Sequence, residues 1–160
     1  MSRRPVRERH TGRVLPVNSR GEVLLLHGWD PVRPERPFWF TIGGAVEGEE
    51  YLVEAAAREM REEIGVQVRA ADLTASIARA TVEFDWGMWH FVQHQTFYAI
   101  ALEDTVELSF DGLEPLERAT TDEAGWWTPD ALDAAGTAAD HELTSHMRIA
   151  IRTILGETDA

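Results

Sequence analysis

Residues 44–66 read GAVEGEEYLVEAAAREMREEIGV, and they are the most informative part of the chain. Its first seven residues contain two glycines and three glutamates, which is typical of a loop. The remainder is rich in strong helix formers, lacks proline and runs into Gly65, a residue type that commonly ends helices. The sequence therefore predicts a loop followed by one helix that stops at Gly65.

Three glutamates of this helix share one sector of its surface. Glu59, Glu62 and Glu63 stand at i, i+3 and i+4, and about 100° per residue places Glu59 nearly above Glu63. Like charges this close repel one another, and a hard divalent cation such as Mg²⁺ or Mn²⁺ would remove that cost. A solvated acidic helix face is the alternative interpretation, and the cluster alone leaves both open.

The spacing of the whole stretch resembles the signature of the Nudix hydrolase family. That signature is a glycine, five residues, a glutamate, seven residues, and then Arg-Glu-apolar-x-Glu-Glu-x-Gly-apolar. The chain fits it at Gly44, Glu50, Arg58, Glu59, Met60, Glu62, Glu63, Gly65 and Val66. Seven fixed residues would match by chance at on the order of one start in 10⁸.

The resemblance implies an α/β fold, the Nudix-type α/β/α sandwich around a mixed β-sheet. The pattern of strands around one helix, with a second helix at the end, indicates the same layers. We expect a flexible Arg-rich N-terminal arm over residues 1–11 and a single Nudix hydrolase domain over residues 12–156.

Apolar and β-branched runs outside the motif predict strands. They cover residues 12–18, 22–27, 38–42, 66–68, 73–84 and 90–102, with a last short strand that runs into a turn at 125–129. The first two form a hairpin in which Pro16 marks an edge or a bulge.

Three other segments complete the chain. Residues 28–37 contain three prolines and predict a loop. Residues 103–125 are acidic and are expected to be irregular, at the edge of the site. An amphipathic helix capped by Asp140 ends the fold.

Composition excludes several function classes. The chain of 160 residues has no cysteine, which excludes disulfides, thiolate zinc sites and a cysteine nucleophile. All fifteen of its basic residues are arginine, which excludes any lysine-dependent chemistry. A net charge of −13 argues against a nucleic-acid polymer as partner. No apolar run is long enough for a membrane span, so we expect a cytoplasmic protein.

The family resemblance assigns roles to residues of the motif. Glu59, Glu62 and Glu63 are expected to bind Mg²⁺, for which Mn²⁺ can substitute, and Glu62 and Glu63 to take part in catalysis. A backbone carbonyl of Gly43 or Gly44 is a further candidate ligand, because glycine allows close approach.

Two charged residues near the metal ligands are expected to assist. Arg58 is expected to orient a glutamate of the motif, for which Glu50 is the candidate, through a bidentate contact. An ordinary surface ion pair is its alternative role. Glu47 is expected to line a phosphate channel, or to be a simple loop charge.

Relatives often take one more catalytic glutamate from a loop beyond the motif. The candidates are Glu103, Glu114, Glu117 and Glu123. Glu123 is our choice, because it comes just before the Trp126-Trp127 strand.

Aromatic residues near a turn are candidates for contact with a nucleobase. Trp86 and Trp89 flank the turn between two predicted strands, where side chains are often exposed, and a base needs only an aromatic face. Core packing is the alternative fate. His90 and His94 have metal-ligand spacing only for a helix. Four residues of a strand span about 13 Å, so one ion cannot bind both.

The function implied is hydrolysis of a nucleoside diphosphate linked to another moiety X. A (deoxy)nucleoside triphosphate is the first candidate for this small substrate. ADP-ribose, nucleotide sugars and dinucleoside polyphosphates are alternatives. A non-catalytic nucleotide sensor and an acidic interaction protein are the competing classes, and a homodimer is one expected assembly.

Overall fold

The computed structural model describes residues 3–156, which form seven strands and four α-helices. The strands are β1 (Val6–Val17), β2 (Val23–Asp30), β3 (Arg33–Phe40), β4 (Ile42–Ala45), β5 (Ala78–Trp86), β6 (Trp89–Ala101) and β7 (Thr121–Trp127). The helices are α1 (Leu52–Ile64), α2 (Pro115–Thr120), α3 (Pro129–Ala135) and α4 (Leu143–Leu155). Within residues 3–156, no helix has the length and apolar character needed to cross a membrane.

β1 is the central strand of the sheet. It runs parallel to β6 along its whole length, from Val6 opposite His90 to Val17 opposite Ala101. It also pairs antiparallel with β4, and the sheet order is β3-β2-β1-β6-β5, with β7 beside β2. One parallel pair among antiparallel pairs makes the sheet mixed, as the sequence predicts.

Helices cover both faces of this sheet. Side chains alternate between the faces along β1 and β2, as the period of two requires. The core under α1 contains Val14, Leu24, Leu26, Ile42, Met60 and Ile64. The core under α3 and α4 contains Leu15, Val17, Leu25, Leu132 and Met147. The predicted α/β/α sandwich is confirmed.

α1 approaches β1 closely because Gly12 has no side chain. A Cβ atom at Gly12 would lie 2.1 Å from the carbonyl oxygen of Leu52 and 3.2 Å from the backbone nitrogen of Ala56. The helix ends at Gly65, whose φ of 73° is left-handed and whose N–H donates to the Arg61 carbonyl. The predicted helix end at Gly65 is confirmed.

The predicted N-terminal arm over residues 1–11 is wrong for residues 6–11. These residues form the first half of β1 and pair with β6, and the carbonyl of Pro5 already accepts a hydrogen bond from the His90 N–H. The arginines of this segment gain contacts that a solvated arm would lack, because the guanidinium of Arg9 lies over the Phe91 ring. Residues 1 and 2 lie outside the described residues.

Residues 28–37 do not form the predicted loop. β2 continues to Asp30 and β3 begins at Arg33, which leaves only residues 31–32 between the strands. β3 is an edge strand, where Pro34 and Pro37 remove no necessary ladder donor. The predicted hairpin between β1 and β2 is paired only at Val17 and Val23.

Further expectations also differ from the structure: residues 66–68 form no strand, and α4 begins at Leu143 with Glu142, not Asp140, as its N-cap. Residues 103–125 were expected to be irregular, but they contain α2 and the first part of β7. Pro115 stands in the first turn of α2, a position that proline tolerates because the N–H there has no helical partner. β5 begins at Ala78, five residues later than expected, after a short 3₁₀ turn at Ala70–Asp72.

The contact at Gly12 gives a test of the packing between helix and sheet. Gly12→Ala should lower the free energy of unfolding by about 3 kcal/mol, because the new methyl group meets a backbone that cannot rotate away. Gly136→Ala is the control, since its Cβ would meet nothing within 4 Å. It should cost about 1 kcal/mol through its left-handed φ alone. Urea unfolding measures both, and equal losses would contradict the close contact.

Candidate active site

Two carboxylates of α1 enter the protein interior at the end of a cavity. Glu59 and Glu63 stand one helical turn apart and keep only 9% and 3% of their surface exposed. The backbone N–H of Gly43 donates to Oε1 of Glu63 at 2.7 Å. The paired glycines before the helix therefore meet the carboxylates directly.

Gly44 leaves room for the carboxylate of Glu59. A Cβ atom at Gly44 would lie 2.8 Å from the carboxyl carbon of Glu59 and within 3.0 Å of both its oxygens. Any side chain at this position would displace that group. This contact explains physically why the motif needs a glycine here.

Arg58 connects the loop and the helix. Its Nε and Nη2 donate to the two oxygens of Glu50 at 2.8 and 3.1 Å, which is the predicted bidentate contact. Its Nη1 donates to Glu59 at 2.6 Å and to Glu62 at 2.9 Å, and Nη2 also donates to the Ala45 carbonyl. Arg58 thus fixes three glutamates of the motif at once.

Two predicted residues lie at the border of this network. Glu62 keeps about a third of its side chain exposed and is held by Arg58. Glu47 is mostly exposed, lies 3.6 Å from Arg58 and lines the cavity. The structure therefore places Glu47 at the cavity wall and Glu62 beside, not within, the buried pair.

Glu117 of α2 supplies the third carboxylate. Oxygen atoms of Glu59, Glu63 and Glu117 all lie within 4.8 Å of one another. Glu123, which the sequence analysis chose, is exposed on β7 beside His27 and Asp122. The choice of Glu123 among the four candidates is not supported by this placement, because α2 and not β7 reaches the cluster.

The three clustered carboxylates hold their protons more tightly than free glutamates do. Burial raises the pKa of Glu59 from 4.5 to about 7, against the opposing effect of Arg58. Burial and the nearby Glu59 raise the pKa of Glu63, and burial raises the pKa of Glu117. Keeping these three neighbouring carboxylates charged therefore costs free energy in the protein alone. Closely spaced carboxylate oxygens are also the ligands that a hard divalent cation prefers.

A cavity of about 550 Å³ extends from the carboxylates along the sheet. Its aromatic lining comes from Trp29, Phe38, Phe40, Phe84, Trp86, Phe91 and Phe97. Trp86 is half-buried in this wall, as a base-contacting residue would be. Trp89 is also half-buried, but the guanidinium of Arg7 covers its ring at 4.1 Å. The structure brings Trp86, and not Trp89, into the cavity.

The histidines of β6 have separate surface partners. His90 contacts Asp85 at 2.8 Å and Glu83 at 3.1 Å, whereas His94 contacts Glu8 at 3.1 Å and Thr81 at 2.9 Å. No group of potential metal ligands within residues 3–156 contains both histidines. The two histidines therefore have different carboxylate partners.

Sequence reasoning missed two arginines of the cavity. Arg9 and Arg13 project from β1, and both line the cavity. Arg13 is buried and donates from Nε to Oγ1 of Thr41 at 2.9 Å, with a second bond from Nη2 to the Thr41 carbonyl. Arginines stand at positions 7, 9 and 13, on alternate sides of the chain from their neighbours and before an apolar run. This alternation was the signal that could have placed the start of the first strand before residue 12.

Gly44→Ala tests the position of the Glu59 carboxylate. It should lower kcat/KM and Mg²⁺ affinity about 10- to 100-fold, as displacement of a ligand's support typically does. Gly48 lies in the loop between β4 and α1, and its Cβ would meet nothing within 4 Å. Despite the strain of its φ of +56°, Gly48→Ala should leave kcat/KM and Mg²⁺ affinity nearly unchanged, because it does not displace Glu59. Calorimetric titration with Mg²⁺ measures the effect, and equal affinities for the two variants would contradict it.

The pH dependence of stability tests the burial of Glu59. Since the folded pKa of about 7 exceeds the usual 4.5, the protonated carboxyl stabilises the fold below about pH 4.5, and this stabilisation is lost as the pH rises to about 7. In EDTA, the free energy of unfolding of the wild type should therefore fall relative to that of Glu59→Gln over this range. Urea unfolding at several pH values measures it, and a constant difference would contradict the shift.

Comparisons with known proteins identify the family of the chain. A family model, the NUDIX domain, matches residues 7–147. The chain matches none of the curated proteins. Among solved structures, a Caenorhabditis elegans Ap4A hydrolase in a binary complex is 20% identical, with a TM-score of 0.61, and the match covers 93% of this chain and 99% of that one.

Two other solved structures show the same fold. The MutT protein of Methanosarcina mazei Go1 is 19% identical with a TM-score of 0.62, over 96% of this chain and 99% of that one. A Nudix hydrolase of Listeria monocytogenes is 18% identical with a TM-score of 0.63, over 94% and 98%. Such identities show the fold alone, whereas the family model covers most of the chain. The chain belongs to the Nudix family of pyrophosphohydrolases.

Proposed function

We propose that the protein hydrolyses a nucleoside diphosphate linked to another moiety X, with Mg²⁺ as its cofactor and Mn²⁺ as a substitute. The observation that carries this proposal is the buried group of Glu59, Glu63 and Glu117 at the end of the cavity. The group lies beside an intact Nudix motif and within reach of any ligand in the cavity. Family membership supports the reaction type, and the carboxylates support the divalent cation.

Glu59 and Glu63 are the proposed principal metal ligands. A bound Mg²⁺ would neutralise charge on the diphosphate and lower the pKa of a water molecule. Glu62 adds a carboxylate at the solvent side. The carbonyl groups of Gly43 and Gly44 remain candidate ligands, while the Gly43 N–H orients Glu63.

Arg58 is the proposed positioning residue of the site. Its guanidinium is mostly buried and already makes five hydrogen bonds, to Glu50, Glu59, Glu62 and the Ala45 carbonyl. These contacts use all five N–H groups of the guanidinium. Arg58 is therefore proposed to orient the metal ligands, and other residues to contact the substrate.

Glu117 is the proposed further catalytic carboxylate, in the role that the sequence analysis gave to Glu123. Its carboxylate lies with those of Glu59 and Glu63, and burial raises its pKa. A base with a raised pKa accepts a proton from water more readily than an ordinary glutamate does.

The nucleoside part is proposed to contact the aromatic wall that includes Trp86, and Glu47 to border the phosphates. A (deoxy)nucleoside triphosphate is the first candidate substrate. ADP-ribose, nucleotide sugars and dinucleoside polyphosphates are alternatives, and the fold of the neighbours does not choose among them. A nucleotide sensor without turnover would not need three crowded carboxylates. A cytoplasmic location and a homodimer remain predictions.

A substrate panel tests the proposed reaction. Nucleoside triphosphates, dinucleoside polyphosphates, ADP-ribose and nucleotide sugars should be incubated with Mg²⁺, with Mn²⁺ and with EDTA, and the release of phosphate and pyrophosphate measured. We expect turnover of one class with either metal and none in EDTA. If no substrate of the panel is hydrolysed, but nucleotides raise the thermal stability of the protein, the result would favour the sensor instead.

Replacement of single carboxylates tests the assigned roles. Glu63→Gln and Glu117→Gln should each lower kcat about 100-fold or more, the usual size of a lost ligand or proton-transfer group. Glu123→Gln is the matched control, and it should stay within about twofold because its carboxylate is exposed on β7. A larger loss for Glu123→Gln than for Glu117→Gln would restore the choice made from the sequence.

A further inference from the structure

Three arginines project from the same face of β1 into or beside the cavity. Arg7, Arg9 and Arg13 stand at odd positions of the strand, opposite Phe91, Gln93 and Phe97 of β6. The residues of β5 and β6 next to them on this face are aromatic, aliphatic or amide side chains: Val82, Phe84, Trp86, Trp89, Phe91, Gln93, Gln95 and Phe97. Among these positions of β1, β5 and β6, the three arginines are the charged side chains.

The side chain of Arg9 contacts two neutral neighbours. Its Nε donates to Oε1 of Gln93 at 2.6 Å, and its guanidinium carbon lies 4.4 Å from the centre of the Phe91 ring. Within residues 3–156, Arg9 forms no ion pair, and its Nη1 and Nη2 have no hydrogen-bond partner. Two parallel N–H donors therefore remain available at the wall of the cavity.

This arrangement is costly in the protein alone. Burial and the neighbouring Arg13 and Arg7 lower the pKa of Arg9 to about 10, while Glu59 and Glu117 oppose that shift. At neutral pH the side chain is still charged, and its partial loss of hydration is offset by one amide, one ring and the longer-range attraction of Glu59 and Glu117. A neutral side chain would cover Phe91 at lower cost, so the charge itself points to an anionic ligand.

Arg9 and Arg13 lie at different places along the cavity, so they would contact different parts of such a ligand. Arg13 lies against Thr41 and has Glu63 and Glu59 as its nearest opposing charges, at the metal end. Arg9 is four residues away, which is about 13 Å along a strand. A diphosphate held near the carboxylates through a metal would leave Arg9 to meet a group further along the ligand.

We propose that Arg9 binds a further phosphate group of the substrate, so that this enzyme prefers nucleotides whose chain carries three or more phosphates. The inference rests on the proposed function and narrows it to one substrate class. Nη1 and Nη2 of Arg9 make a bidentate contact with phosphate oxygens, and Gln93 and Phe91 fix the plane of the guanidinium. Arg7, at the exposed end of the same row, attracts the same group at longer range.

Kinetics on paired substrates test this assignment. Arg9→Gln should lower kcat/KM for a nucleoside triphosphate or a dinucleoside polyphosphate about 10- to 100-fold, the effect of one lost charged hydrogen-bond pair. ADP-ribose and a nucleotide sugar, whose X carries no phosphate beyond the diphosphate, should change by about twofold or less. Arg9→Lys keeps the positive charge but cannot make the bidentate contact, so it should give an intermediate loss of kcat/KM for the substrates with three or more phosphates.

Arg79→Gln is the matched control. It removes the same charge from β5, where Arg79 is exposed and points to the opposite face from Val82 and Phe84. It should not change the ratio of kcat/KM between the two substrate groups. Three results would each overturn the proposal. Arg9→Gln could lower kcat/KM equally for both substrate groups, or its effect could depend on the base and not on the number of phosphates. The third is a wild type that hydrolyses only ADP-ribose-like substrates.

A binding measurement separates this proposal from the hydrolysis itself. In the Glu59→Gln/Glu63→Gln background, with EDTA, inorganic tripolyphosphate should raise the midpoint of thermal unfolding, and added Arg9→Gln should abolish the shift. Without ligand, Arg9→Gln should unfold at the same or a higher temperature than its parent, because it removes a partly buried charge that has no ion-pair partner within residues 3–156. A clear destabilisation, or a tripolyphosphate shift that survives Arg9→Gln, would make Arg9 a structural residue even if hydrolysis is confirmed.

Discussion

The close contact between α1 and β1 is the constraint on which the site depends. Gly12 lets the backbone of Leu52 approach the strand, and Gly44 stands opposite Gly12 on the neighbouring strand β4. Glu59 and Glu63 follow two to three turns along the helix, and they therefore arrive beside Gly43 and Gly44. The same glycines that allow helix and sheet to touch thus also set where the carboxylates lie, so packing and chemistry cannot vary independently here.

Local spacing made the centre of the site predictable. The contact of Arg58 with Glu50, and the buried position of Glu59 and Glu63, follow from a helix and a loop that are continuous in the chain. Glu117 was harder, because α2 has only six residues and shows no usable periodicity among several acids. Arg9 was missed for a related reason: charged residues that alternate on a strand resemble a solvated tail until their partners on β6 are known.

The site holds two kinds of uncompensated charge at opposite ends. Carboxylates crowd together at one end, where burial raises the pKa values of Glu59, Glu63 and Glu117. Arg9, which forms no ion pair within residues 3–156, stands on β1 towards the other end. A complex of a divalent cation with a polyphosphate carries the complementary charges in the same order. Binding such a complex would relieve both costs together, which favours joint recognition of metal and nucleotide over either alone.

The parallel pairing of β1 with β6 also has a consequence for how the chain folds. Partners such as Arg9 and Gln93 are separated by 84 residues, so the central strand of the sheet cannot gain its main neighbour locally. During synthesis, β1 remains without its parallel partner while α1 and β5 are synthesised. The cavity can form only when β6 is complete. Such long-range closure slows folding and leaves an apolar strand edge exposed to other chains in the interval. Charged side chains next to an apolar strand generally oppose such association, and the first half of β1 carries Arg7, Glu8 and Arg9 before its apolar half.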